Sequence, residues 1–432
     1  MKNQREILNK LGVTELNEMQ RRTANAIYNQ DSVIVLSPTG TGKTLAFLLP
    51  ILKQLDNSLD AVQAMIIVPS RELAIQIEHV IRDMGAGFKC NAVYGGQSFN
   101  QDKINLKHPP TILVGTPGRV ADHLRRNTFS VLHTKFLVLD EFDKSLEIGF
   151  ESEMKEICLG LSHVSKRVLT SATNELPVPR FVQFKDPAMI NNLAKGNAHM
   201  EMKLIVSPSK DKLETLSSTL EVLKNQPGIV FCNFKDSINR VSEFLSDQGV
   251  AHGCFYGGME QIDRELALIK FRNGSHKLII ATDLAARGLD VPTIKYILHY
   301  HLPLKESEFV HRNGRTARMH SDGTVYVLNY QGEKLPEFIP KLQEAYLTAN
   351  DSEKPVIWKT VMISGGRRDK ISKGDVAGLC FKQGGLKKDQ LGVIELQQKN
   401  SFVAVQASCA LDLIRKIDGL KLKTKKVRVS GV

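Results

Sequence analysis

The 432-residue sequence has one tryptophan, and aromatic residues make up 6% of it. Long apolar runs are missing. Residues 45–52 are among the longest, and they fall far short of the ~20 residues a helix needs to cross a bilayer. Residues 1–6 lead into no apolar signal core, which sets the expectation of a cytoplasmic protein with no membrane partner. The six cysteines, Cys90, Cys158, Cys232, Cys254, Cys380 and Cys409, are scattered. No CxxC pair or zinc spacing occurs among them, so reduced, structural thiols are expected. There is no low-complexity tract.

What remains is an ordinary globular composition, 42% hydrophobic and 24% charged. The length suggests roughly two to four domains. The net charge of +12 is unevenly placed: residues 351–432 carry 17 Lys and Arg against 8 Asp and Glu. Lys421, Lys423, Lys425, Lys426 and Arg428 crowd its end. A localised basic surface attracts polyphosphates through counterion release. Taken alone, such a cluster is more often a solvated charged face.

Three segments follow one another. Residues 1–200 alternate short apolar strands (33–36, 65–68, 111–114, 136–139, 168–169) with helical patterns such as 71–81. That alternation predicts a parallel sheet covered on both faces. Residues 204–349 repeat the habit, with strands at 229–232, 278–281, 296–299 and 325–328. The polar stretch 194–202 is expected to link the two. A second break is expected near 350–355. Residues 356–432 then predict β-α-β-β-α-β, the order of an RNA-recognition sheet domain. Its central strand, 400–405, offers Phe402 as its one aromatic, either a base platform or a core residue. Trp358 is expected to pack rather than stack on a base.

Strand 33–36 runs into Ser37-Pro38-Thr39-Gly40-Thr41-Gly42-Lys43-Thr44, and a helix is expected to follow. Glycines let the backbone wrap a phosphate, and a helix N-terminus adds a favourable dipole. Lys43 is placed to reach the β- and γ-phosphates of ATP, and Thr44 to ligate Mg2+. Strand 136–139 ends in Asp140-Glu141-Phe142-Asp143. Buried carboxylates at a strand end call for a cation. Asp140 is expected to hold magnesium and Glu141 to activate water. Phosphoryl transfer also needs positive charge at the γ-phosphate. Arg315 and Arg318 are the candidates, three apart and expected on one helix face.

In this order the motifs resemble those of the DEAD-box RNA helicases, over residues 10–345. The resemblance implies two tandem RecA-like domains, closing together on ATP and RNA. It implies nucleotide contacts from Gln20, Thr39, Gly40, Thr41, Gly42, Lys43, Thr44 and Asp290. Pro69, Arg71, Gly96, Thr116, Gly118, Arg119, Arg264 and Thr282 would contact RNA, and Ser171 and Thr173 would couple the domains. Phe142 stands where the family has alanine, and Ala317 where its last motif has glycine. Leu16-Asn17-Glu18 replaces a Pro-Thr-Pro. The family's adenine-stacking aromatic would fall before Met1, so adenine selectivity is expected to rest on Gln20. Residues 356–432 are similar to an RRM-like domain that tethers one bacterial branch of the family to a large-subunit ribosomal RNA hairpin. Arg367, Arg368, Lys387, Lys388, Lys425 and Lys426 would then contact RNA. A DNA helicase, another P-loop NTPase, or an ATP-gated RNA clamp would use the same ATP residues.

Overall fold

The computed structural model describes all residues except 1–3, 148, 174–176, 194–199, 225, 284–293, 318–321 and 347–356. It divides into two compact units, one built mainly on residues 1–199 and one running from 200 to the C-terminus.

The first unit holds a seven-stranded parallel sheet. Its strands are β1 (Ser32–Leu36), β2 (Ala64–Ile67), β3 (Cys90–Val93), β4 (Ile112–Gly115), β5 (Phe136–Leu139), β6 (Lys166–Ser171) and β7 (Ala188–Asn191), in the spatial order β3-β4-β2-β5-β6-β1-β7. Successive side chains of a strand point to opposite faces. Val33, Val35, Ile66, Val114 and Val138 accordingly join one buried cluster, and Ile34, Leu36, Met65, Leu113 and Leu137 join another. Strands buried on both faces are continuously apolar, which is why these four were visible in the sequence. The edge strand β3 is half exposed and the edge strand β7 mostly so, and neither was predicted.

The second unit holds another seven-stranded parallel sheet. Its strands are β8 (Met200–Ser207), β9 (Gly228–Phe231), β10 (Gly253–Phe255), β11 (Leu278–Ala281), β12 (Tyr296–His299), β13 (Gly323–Tyr330) and β14 (Gln343–Glu344), in the order β10-β11-β9-β12-β13-β8-β14. The expected link at 194–202 is corrected in part: residues 200–202 already belong to β8, paired in parallel with β13. The rest of that link and the break at 350–355 lie outside the described residues.

The same unit carries a four-stranded antiparallel sheet of β15 (Trp358–Ile363), β16 (Leu391–Leu396), β17 (Ser401–Gln406) and β20 (Val429–Gly431), in the order β16-β17-β15-β20. A short hairpin, β18 (Lys421–Leu422) with β19 (Lys425–Lys426), precedes the last strand. Helices Lys373–Lys382 and Ala407–Ile417 complete the predicted β-α-β-β-α-β order. Val361, Ile363, Val403 and Val405 point from this sheet into a core with Leu379 and Leu413. Trp358, Thr360, Met362, Phe402 and Ala404 alternate with them and occupy the outer face.

One close approach in the second sheet is sharply defined. Gly228 pairs with Tyr296 across β9 and β12, and a Cβ on Gly228 would fall on the Tyr296 ring. That ring is buried among Leu223, Leu278 and Leu298. Gly228→Val is therefore expected to destabilise the second unit by about 1–3 kcal/mol, the usual cost of overpacking. The denaturant midpoint of unfolding measures it.

Candidate active site and nucleic-acid interface

In a parallel sheet the functional loops gather beyond the carboxyl ends of the strands. Here β1 leads into Ser37–Thr44, β2 into Pro69, β4 into Thr116, β5 into Asp140, and β6 ends on Ser171. The phosphate loop is shaped by Gly40 and Gly42, both with left-handed backbone (φ 80° and 83°). The helix Lys43–Leu52 follows directly, with Gly42 as its N-cap. Inside the loop the Ser37 and Thr41 hydroxyls lie 2.8 Å apart. The Lys43 ammonium is buried and donates to the carbonyls of Ser37 and Pro38. Thr39 is buried, while Thr44 at the head of the helix is half-buried.

Gln20 holds this loop from outside. Its side-chain amide donates to the Gly42 carbonyl at 3.3 Å. Its amide oxygen accepts from the Asn17 N–H at 2.9 Å, and Asn17 accepts in return from the Gln20 N–H. This reciprocal capping box starts the helix Glu18–Asn29. Asn17 also donates to the Thr41 carbonyl at 3.1 Å. Asn17, where the family pattern has threonine, thus contributes a loop contact that the motif comparison missed. Each end of the Gln20 amide keeps one further hydrogen-bonding capacity.

The carboxylates meet the loop's neighbourhood through strand register. β5 and β6 pair Leu139 with Leu169, so Asp140 stands beside Thr170. The Thr170 hydroxyl donates to Asp140 and accepts from the Glu141 N–H at 3.2 Å. Burial and the adjacent Glu141 charge push Asp140 up to about 6, against the pull of Thr170 and the Lys43 charge. Glu141 adopts φ 48°, a conformation that non-glycine residues adopt rarely. Among the described residues, its buried Oε2 has no hydrogen-bond partner. Strain together with an unsatisfied buried carboxylate oxygen is typical of functional positions. Phe142 is buried in the core that also holds Leu139 and Met154. Ser171 bonds the Thr173 backbone twice, and the Thr173 hydroxyl donates to Asp143 at 3.3 Å. The Ser-Ala-Thr segment and the acidic tetrad are thereby joined.

The remaining motifs of the first unit also converge. The Arg71 guanidinium lies over the Gly95–Gly96 turn, where a Cβ on Gly96 would strike it. The Thr116 N–H donates to the Val93 carbonyl. Arg119 donates to Asp102 at 2.8 Å and to the Gln97 carbonyl at 2.7 Å. Asp102 is 2% exposed and sits in no recognised motif, so sequence reasoning missed it. Gly118 has open space around it.

In the second unit, β11 leads into Thr282 and Asp283, and the helix Glu306–Asn313 carries Arg312. Arg312 is 1% exposed and grips both oxygens of Asp283. It also donates to the His301 carbonyl and to Asn233, each at 2.8 Å. Burial, with the Arg312 charge adding to it, pushes His299 down to about 3. His299 is neutral and bonds Asn313 at 2.9 Å. The motifs point to Arg315 and Arg318 and give no role to Arg312. Their expected common helix face needs correction: the helix stops at Asn313, and Arg315 lies in the turn beyond it. Thr316 then bridges to Ile294, and Ala317 is left-handed (φ 51°). Arg315 is buried; Arg318 and Asp290 lie outside the described residues. Arg264, on the helix Gln261–Arg272, donates to the Tyr256 carbonyl.

In the C-terminal sheet domain, Arg367, Arg368, Lys387, Lys388 and Lys426 are exposed. Lys425 is paired with Asp369 at 2.8 Å, and its neighbour Lys423 with Asp375.

Comparison with known proteins accounts for all three parts. Residues 17–180 match the DEAD/DEAH box helicase family, 211–320 the helicase conserved C-terminal domain, and 360–430 the DbpA RNA binding domain. The ATP-dependent RNA helicase DbpA of Escherichia coli is 31% identical over 98% of this chain and 95% of its own. The chain belongs to the DEAD-box RNA helicases. It is DbpA-like: the Bacillus subtilis helicase of that name is 29% identical over 97% of this chain and 95% of its own. Among solved structures, Saccharomyces cerevisiae Dbp5 bound to RNA and ADP BeF3 superposes with TM-score 0.66 at 25% identity, over 76% of this chain and 87% of that one. The DEAD-box helicase Mss116, bound to single-stranded RNA and UDP-BeF, gives 0.67 at 25% identity, over 76% and 72%. This DEAD-box chain is therefore an RNA-stimulated ATPase that binds ATP and RNA. No described helix is long and apolar enough to cross a membrane.

The Arg312–Asp283 pair, buried at its arginine and half-buried at its carboxylate, yields a stability prediction. Removing one partner of a buried ion pair leaves the other uncompensated, at a cost of about 3–5 kcal/mol. Arg312→Ala is expected to lose that much in chemical unfolding. Adding Asp283→Ala to it is expected to cost clearly less than the sum of the two single changes.

Proposed function

We propose that this helicase acts on large-subunit ribosomal RNA during ribosome assembly, in the cytoplasm, with three domains bounded near 1–200, 204–349 and 356–432. The observation that carries this reading is the C-terminal domain. It matches the DbpA RNA binding domain and lies in the segment that holds nine of the twelve net positive charges. The two helicase domains, by the nature of backbone grips, read phosphate and 2′-hydroxyl, which every RNA shares. Selectivity must come from elsewhere, and the basic C-terminal domain is its source.

The chemistry follows from the first unit's own residues. Lys43 binds the β- and γ-phosphates in place of the loop carbonyls it now touches. Gln20 uses its remaining hydrogen-bonding capacity on adenine. Thr44 and Asp140 would hold Mg2+, which neutralises phosphate charge when bound. A desolvated carboxylate held near pKa 6 beside a second acid suits a divalent cation. Glu141 orients the attacking water and takes its proton. Arg315 and Arg318 supply positive charge to the transferring phosphoryl group. Ser171 and Thr173, bonded to the tetrad through Asp143, report its state. Pro69, Arg71, Gly96, Thr116, Gly118, Arg119, Arg264 and Thr282 grip the RNA backbone.

Two outcomes check these roles. Lys43→Ala is expected to abolish ATP binding. Glu141→Gln is expected to keep ATP and RNA binding while turnover falls about 10²–10⁴-fold, the contribution of a positioned general base. Near wild-type turnover in Glu141→Gln would remove it as the base.

Target choice is checked by ATPase activity against RNA concentration at fixed salt. A large-subunit ribosomal RNA fragment is expected to half-saturate the enzyme at a concentration about tenfold below an unrelated RNA of equal length, or 1.4 kcal/mol. Equal values for the two would leave a general RNA helicase or ATP-gated clamp.

A further inference from the structure

The helix Gln261–Arg272 runs from the carboxyl edge of the second sheet to its amino edge, since it connects β10 to β11. Glu265, Leu268 and Arg272 recur at i, i+3 and i+7 and so share one face. That face holds the outer side of the C-terminal sheet. Arg272 donates to both oxygens of Glu395 on β16, with its Nε at 3.0 Å. Just past the helix, Asn273 and Ser275 bond Thr360 on β15 at 2.9 and 2.8 Å. Trp358 fits between Gly274 and Gly392. Phe402 is only 6% exposed, Thr360 2% and Ala404 0%. The sheet face on which an RNA-recognition domain stacks bases is covered by protein.

β16 lies along the helix so that Glu395 meets its foot, while Gln397, just past the strand, reaches back to Glu265 near its head at 3.4 Å. The turn after β16 is therefore at the Arg264 end. Gln397 and Gln398 accept from the backbone N–H groups of Arg367 and Arg368. Arg367, Arg368 and Lys399 are exposed. Lys425, paired with Asp369, ties down the loop that carries the two arginines.

The geometry points to a single RNA-backbone track along this helix. Arg264 of the helicase domain begins it, and Lys399, Arg367 and Arg368 continue it. It takes single-stranded RNA by its phosphates, without sequence preference, because Trp358 and Phe402 on the outer face of that sheet are covered by protein. Docking through Arg272 and Glu395 fixes the two basic groups at one spacing, so a strand bound at Arg264 meets the arginines at high effective concentration. The proposal rests on the reading that Arg264 grips RNA backbone. It does not depend on ribosomal RNA preference.

Oligouridylates of graded length test it, as probes for RNA-stimulated ATPase of the full chain. Half-saturating concentrations are expected to keep falling with length beyond the point where Arg367→Ala/Arg368→Ala stops responding. For the long oligomers that double variant is also expected to lower the log–log salt slope by about 1.4, two single-strand phosphate contacts. Arg272→Glu and Glu395→Arg are each expected to lose the long-oligomer gain, and Arg272→Glu/Glu395→Arg to regain it. An unchanged length profile in Arg272→Glu, or an unchanged salt slope in Arg367→Ala/Arg368→Ala, overturns the track. Failure of ribosomal RNA preference with the length effect intact removes the target reading alone.

Discussion

A charge taken out of water has to be met by a donor or an opposite charge, and both halves of this helicase are arranged around that requirement. In the first unit Asp140 sits at a strand end with almost no exposure. Its acidity is weakened by burial and by Glu141. The neighbouring strand answers with Thr170, delivered to the right place by the parallel register of β5 and β6. That one hydrogen bond ties the acidic tetrad to the strand that ends in Ser171. A carboxylate so placed is only partly compensated by the protein, and the deficit is what a cation near phosphate can fill.

The second unit meets the same requirement completely. Arg312 has its guanidinium satisfied by Asp283, Asn233 and the His301 carbonyl. His299 stays neutral beside it. A fully compensated buried arginine fixes geometry, since leaving any one partner unpaired is costly. Arg312 thus anchors the helix end from which Arg315 emerges, and it binds β11, β12 and that helix into one rigid corner. The two sites differ in how far the protein itself compensates the buried charge: partly at Asp140, fully at Arg312.

The parts of this architecture that were visible in the sequence are those fixed by local pattern. Strands buried on both faces announced themselves as apolar runs, and the phosphate loop as glycines ahead of a lysine. Edge strands did not, because Cys90–Val93 and Ala188–Asn191 lack an unbroken apolar signature. Met200–Ser207 was partly mistaken for a linker for the same reason: its first half is only partly buried. Partners set by register or by long-range packing were also hidden. Thr170, Asp102 and Asn233 belong to no motif, and nothing in their spacing reveals the group each one meets. Arg315 and Arg318 carry helical spacing, yet the helix ends at Asn313, so spacing alone misplaced Arg315 on a helix face.

Phe402 shows most clearly why local reading runs out. Alternation along β17 puts it on the outer face, opposite Val403 and Val405, which would make it a base platform in an isolated sheet domain. Burial makes it look like core. Both descriptions are correct in part, because the outer face is itself an interface with the second helicase domain. The partners across that interface lie far apart in the chain, Arg272 and Glu395 by 123 residues and Asn273 and Thr360 by 87, far beyond any local pattern. With that face occupied, Arg367, Arg368, Lys387, Lys388 and Lys399 are basic side chains that the domain still exposes. Recognition then depends on where the domain is held as much as on what it displays, and the helix that holds it is the one that bears Arg264.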